Sequence, residues 1–174
     1  FRTPEECVDM ARHDSTVENA LLDARHLVGG LEVWEVLRSL LERYRKKHSQ
    51  RFVERIRDEV AERYYGRLGE TVFLQEPNVK ESPGGLRDFH TILWLARGCW
   101  RLQNGEALVT TGILSESDWE RARRGYDWMM RVRNELHYLT GRRADQLTLA
   151  LQPEVASGLK FRPHQHLLAV EVFM

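Results

Sequence analysis

Residues 76 to 90 carry the densest chemistry in the chain. Lys80 and Arg87 flank the turn Pro83-Gly84-Gly85, Asp88 follows at once, and His90 lies two residues on. Glycines let a ligand approach the backbone closely, and the first-turn amides of a following helix attract anions. Arg87 has a planar fork suited to phosphate oxygens, and Lys80 adds a second cation. Asp88 would sit in the first helical turn, where it either caps the amides or helps hold a metal-bound phosphate. The same residues also fit plain chain reversal, with Asp88 favouring the helix dipole. The spacing is neither that of a Walker loop nor that of a Rossmann fingerprint.

A second polar cluster is Arg133, His137, Arg142 and Asp145. Arg133 and His137 are four apart, hence on one helical face, and can meet a ligand together. The competing reading is a polar network that braces the helices from within. Glu116-Ser117-Asp118 has the spacing of paired carboxylates, but as a helix opening it reads as a charge effect on the dipole. His164 and His166 are two apart and lack a nearby cysteine, so no metal site is expected there. The five tryptophans are expected in packing roles rather than as a stacking platform.

The elements that must position these groups read as helices. Thr3, Pro4 and Glu6 form a capping box with a first-position proline, opening a short helix to about Arg12. Ser15 with Glu18 is expected to open a second, closed by Gly29-Gly30. Amphipathic spacing predicts helices from Leu31 to about His48 and from about Arg51 to Gly66. Thr71 to Leu74 reads as extended, and Glu76 to Gly85 as irregular. Further helices are predicted from Leu86 to Gln103, from a Ser115 cap to Gly141, from Pro153 to Leu159 and from Pro163 to Met174. The fold class expected is all-α, an antiparallel helical bundle with one irregular loop containing Pro and Gly.

Composition narrows the function classes. Lys plus Arg and Asp plus Glu each number 26, so no basic surplus points to nucleic acid. The run Arg43, Arg45, Lys46, Lys47 reads as a solvated helix end. Cys7 and Cys99 stand far apart without a Cys-x-x-Cys partner, which disfavours a zinc or disulfide scaffold and fits a reducing cytoplasm. No apolar run approaches the ~20 residues of a membrane span. Phe1 at the start, and an apolar helical pattern still running at Met174, read as cuts in a longer protein.

Glu76-Pro77-Asn78-Val79-Lys80-Glu81-Ser82-Pro83-Gly84-Gly85-Leu86-Arg87-Asp88-Phe89-His90, continuing through Trp94, resembles the most distinctive segment of bacterial PII uridylyltransferases. A second match is Arg131-Val132-Arg133-Asn134-Glu135-Leu136-His137, with Gly141-Arg142, Asp145-Gln146-Leu147 and Leu151-Gln152-Pro153-Glu154-Val155-Ala156 after it. Arg2-Thr3-Pro4-Glu5-Glu6-Cys7, with Asp14, Ala24-Arg25 and Gly29, looks like the family's join to its nucleotidyltransferase domain. Val172 stands where the family pattern has an arginine. The resemblance implies that residues 1–30 are the edge of, or linker from, that domain, and that 31–174 form the helical domain following it.

The same resemblance implies a nitrogen-signalling role, in which the intact enzyme moves UMP from UTP, with Mg2+, onto the PII protein. Its other partners would be the upstream nucleotidyltransferase domain and downstream HD and ACT domains of the same polypeptide. Lys80, Gly84, Gly85, Arg87 and Asp88 carry over as the triphosphate- or metal-facing loop, with Arg133, His137, Arg142 and Asp145 as a second cluster. No Gly-Ser pair and no Asp-x-Asp occurs, and nucleotidyl transfer needs closely spaced carboxylates. The chain alone is therefore expected to be inert, with no tightly bound cofactor, no catalytic residue and no metal ligand. Two other functions stay open. One is a non-catalytic protein-interaction module. The other is part of a glutamine-synthetase adenylyltransferase, whose Gly-Gly-Ile-Arg-Glu helix start is similar; Asp88 and the Leu151–Ala156 run favour uridylyl transfer.

Overall fold

The computed structural model describes residues 1–67 and 74–174, and among these the secondary structure is all-α. Eight α-helices run in order: α1 (Pro4–His13), α2 (Ser15–Leu22), α3 (Leu31–Ala61), α4 (Leu86–Cys99), α5 (Glu106–Thr110), α6 (Glu116–Thr140), α7 (Gln152–Gly158) and α8 (Ala169–Phe173). A π-helical turn, Glu62–Arg67, continues α3. The only extended pairings among the described residues are isolated bridges, Asn78 with Gln146 and His164 with Leu167. Of the stretch expected to be extended, Thr71 to Phe73 lie outside the described residues.

Local chemistry explains the helix ends. Thr3 accepts from the Glu6 amide at 3.2 Å while the Glu6 carboxylate accepts from the Thr3 amide at 2.7 Å, the reciprocal box that opens α1. Ser115 accepts from the Asp118 amide at 3.1 Å to open α6, and Gly141 closes it in the left-handed region at φ +63°.

Several boundaries differ from expectation. The cap of α2 is Asp14, which accepts from the amides of Thr16 and Val17, so Ser15 is the first helical residue instead. That helix stops at Leu22, well before Gly29-Gly30, and Leu27 and Val28 stand exposed. The two helices expected over 31–66 both form, joined across a kink at His48 (φ −118°, ψ 15°) into one span. The basic run closes the first of them, as expected, but Arg45 folds inward to donate to the Leu21 carbonyl at 2.8 Å. Helix α4 ends at Cys99 rather than Gln103. After Lys160 the chain turns through His164–Leu167 with Gln165 at φ +53°, so only Ala169–Phe173 of the predicted last helix forms.

The chain divides into two compact units, Phe1–Asp58 with Ile92–Leu108, and Glu59–Thr91 with Val109–Met174. In the first, Val8, Ala11, Leu41 and Tyr44 form a core backed by Val17, Leu21, Leu37 and Leu40. Glu18 is buried there with both carboxylate oxygens used, by the Tyr44 hydroxyl at 2.9 Å and Arg55 at 3.0 Å, as a buried charge requires. A small cavity bordered by Glu18, Tyr44, His48 and Phe52 lies beside them. In the second unit, Val79, Val132, Leu136, Leu147 and Val155 form the core. Val79 belongs to the irregular loop, so the loop is anchored by burial of its own side chain.

Candidate functional site

Asn78 organises the loop. Its side-chain oxygen accepts from the amides of Lys80 and Glu81 at 3.0 and 2.9 Å, while its own amide donates to the Ser82 hydroxyl at 2.9 Å. This Asx turn folds residues 78–82 back on themselves. The carbonyls of Val79, Lys80 and Ser82 then converge on the start of α4, where they accept from the amides of Leu86, Arg87 and Gly85 at 3.1, 2.8 and 2.8 Å. The Asp88 amide donates to the Gly85 carbonyl at 3.1 Å.

The amides expected to face an anion are therefore already satisfied by the loop. Spacing alone did not reveal this, because the acceptors come from a turn that closes only when Asn78 caps it. Gly85 is required for a different reason. A Cβ there would lie 2.8 to 3.0 Å from the carbonyls of Ser82, Val79 and Lys80. Gly84 sits at φ +78° in open space, so its need is conformational.

Asp88 is fully engaged. Its Oδ1 lies 2.6 Å from Arg63, and its Oδ2 accepts from the Tyr64 hydroxyl at 2.5 Å and the Gly84 amide at 2.8 Å. Burial first, then the hydrogen bond and charge of Asp88, push the Tyr64 hydroxyl above its ordinary pKa. Arg63 is buried and its Nη1 has no hydrogen-bond partner among the described residues. Sequence reasoning missed Arg63 and Tyr64. The one signal was their place in a π-helical turn, a form often found near functional sites and invisible to periodicity. His90 packs edge-on against Tyr126 at 5.8 Å, and Phe89 stacks on the same ring at 4.3 Å.

The two remaining loop cations converge on one carboxylate. Glu81 lies 3.3 Å from Lys80 Nζ and accepts from Arg87 through both oxygens, at 2.9 and 3.3 Å. Burial raises the Glu81 pKa, but the hydrogen bonds and charges of Arg87 and Lys80 outweigh it and hold the carboxyl below its usual range. Lys80 and Arg87 remain about one-third exposed and can be reached from solvent.

The second cluster is joined to the loop. The Val79 amide donates to the Asp145 carbonyl at 2.8 Å, Leu147 to the Pro77 carbonyl at 2.9 Å, and the Leu149 amide to the Glu76 carboxylate at 2.8 Å. Buried Gln152 adds a bond to the Gln75 carbonyl at 2.6 Å. Arg133 grips Asp145 at 2.6 Å, and His137 Nε2 lies 3.6 Å from the same oxygen, beyond hydrogen-bond length. Burial raises the Asp145 pKa, and the opposing effects of Arg133, Lys80 and His137 together bring it below the carboxylate range. Arg142 is exposed and contributes a carbonyl acceptor to Thr140 rather than a side-chain contact to this cluster. Among the described residues, no group of three His, Cys, Asp or Glu could hold a metal ion, and both Asp88 oxygens already have partners.

An all-α chain whose two motif segments are zipped into one charged loop defines a helical domain, and its family can be assigned. Residues 44–174 match the GlnD PII-uridylyltransferase family model, and the chain belongs to that family. Among curated proteins it is similar to the bifunctional uridylyltransferase/uridylyl-removing enzyme of Erythrobacter litoralis (strain HTCC2594), 37% identical over 175 residues. That match covers 99% of this chain but 19% of the relative, so the chain spans about a fifth of its length. No solved structure matches. Among the described residues no helix is long and apolar enough to cross a membrane.

Proposed function

We propose that this chain is the helical part of an enzyme that transfers UMP from UTP to the PII signalling protein, and that the loop at the start of α4 faces the nucleotide's phosphates. Family membership and the relative's name support the transferase class. One observation carries the site: Lys80 and Arg87 are presented together, partly exposed, on a loop locked by Asn78 and by the segment 145–152. A rigid pair of cations loses little entropy on meeting a polyanion, which is what preorganised electrostatic binding needs. The residues that act are the side chains, since the helix amides are occupied.

In this reading Gly85 and Asp88 are positioning residues that shape the loop, and Gly84 supplies its backbone turn. Arg133 holds Asp145, whose backbone bonds the loop. Magnesium and the carboxylates that bind it would belong to the remainder of a longer polypeptide. The test is Lys80→Ala and Arg87→Ala in the intact enzyme. Removing either cation is expected to weaken UTP binding about tenfold or more, with the melting temperature kept. Unchanged UTP affinity and turnover in both folded variants would remove the phosphate role.

A docking role is favoured by a separate observation. Leu27, Val28, Leu31, Val33 and Val36 are all exposed along one short stretch, more apolar surface than a solvated segment needs.

A further inference from the structure

We propose that Glu81 is a built-in competitor at this loop: its carboxylate occupies the phosphate position between Lys80 and Arg87, and an anion reaches both cations only by displacing it. The inference rests on the phosphate-facing reading of the loop.

The geometry is that of a carboxylate bound as a phosphate would be. One oxygen is shared by Lys80 Nζ (3.3 Å) and Arg87 Nη2 (2.9 Å), and the other faces Arg87 Nε at 3.3 Å. Planar fork-to-carboxylate pairing is the same bidentate geometry by which arginine takes phosphate. Glu81 is held as a neighbour of both cations by its backbone, because its amide is fixed to the Asn78 side chain. Its side chain is about 39% exposed, so it can swing into solvent without unfolding the turn. The turn does not depend on that carboxylate, since it is closed by Asn78 and Ser82.

A tethered carboxylate competes at high effective concentration. A ligand with one phosphoryl group replaces the pairing with one of similar charge and gains little. A triphosphate brings further anionic oxygens to the two cations and wins. The residue would thus lower the affinity of each anion by one common factor, so that at a given concentration a triphosphate still fills the site where orthophosphate or a nucleoside monophosphate does not. The lowered pKa of Glu81 agrees, since it marks a carboxylate that is charged and competing throughout the neutral range.

The experiment is calorimetric titration of the folded chain at low salt with inorganic tripolyphosphate and, separately, orthophosphate. Wild type, Glu81→Gln, Glu81→Ala, Arg87→Ala and the exposed-surface control Glu5→Gln are compared. Both Glu81 variants are expected to bind tripolyphosphate about three- to tenfold tighter than wild type. Orthophosphate affinity should rise by the same factor, because both anions displace the same carboxylate, while Glu5→Gln changes neither. If Arg87→Ala weakens binding but both Glu81 variants leave both affinities unchanged, the competitor role is overturned and the phosphate-facing loop stands. If Arg87→Ala has no effect and no variant binds either anion, both readings fall. Circular dichroism melts show whether each variant is folded.

Discussion

Two adjacent glycines serve the loop through different physics, and substitution separates them. In Gly85→Ala the new Cβ meets three backbone carbonyls at 2.8 to 3.0 Å, and backbone held by an Asx turn cannot retreat cheaply. The expected loss is about 2–3 kcal/mol, the range of overpacking in a rigid site. Gly84→Ala meets nothing within 4 Å, so it bears only the left-handed backbone strain, about 1–2 kcal/mol. Urea unfolding of the two variants should rank them in that order. Asp145 gives a pH prediction at the same scale. Its folded pKa is depressed, so the stability it contributes is present above the unfolded value of about 4 and lost as pH falls through the folded one. In urea midpoints followed from about pH 5 down to about pH 2, Asp145→Asn should start lower and fall less steeply than wild type. Parallel curves for the two proteins would contradict the pairing with Arg133.

At the scale of elements, α6 shows how end chemistry sets a helix. Ser115 and Gly141 each do what their residue types predict, and Ser115→Ala should cost about 1 kcal/mol by thermal or urea unfolding. Where both ends carry such signals, the boundaries were legible in the sequence. They were less so where tertiary contact decides. Val33 falls on the apolar stripe of α3 yet is exposed, while Leu41 and Tyr44 further along it are buried against α1 and α2. The break expected between a helix ending near His48 and one starting near Arg51 does form, confined to His48. Gly29 does adopt a positive φ, as its type predicts, but in a loop seven residues past the end of α2. For the site, Lys80, Arg87 and Asp88 could be picked out by spacing, because anion chemistry uses few residue types. Their partners could not. Arg63, Glu81 and the acceptor carbonyls of 79–82 depend on how the chain closes, and a linear pattern does not encode which cation meets which carboxylate.

The whole chain is built from two compact units, neither of which is a continuous stretch of sequence. Helices α1 and α2 are integral to the first, because Val8 and Ala11 complete the core around Leu41 and Tyr44, and Glu18 neutralises Arg55. Removing residues 1–30 would strip these groups away, leaving Leu41 and Tyr44 exposed and Arg55 without its buried acid. Tyr44 reports on this directly. Burial, then the hydrogen bond and charge of Glu18, push its pKa up to about 12, so its neutral form is favoured in the folded chain. The stability this contributes is present below the unfolded tyrosine value of about 10 and is lost as pH rises toward about 12. A phenolate absorbance titration of the intact chain should show Tyr44 and Tyr64 titrating late, with the Tyr44 part missing in Tyr44→Phe. In the fragment 31–174 that signal should move back toward about 10, since both of its causes leave with α1 and α2. A late component that survives the deletion and is abolished by Tyr44→Phe in the fragment would mean that Tyr44 is shielded by other parts of the chain, and that the first thirty residues are dispensable to the unit.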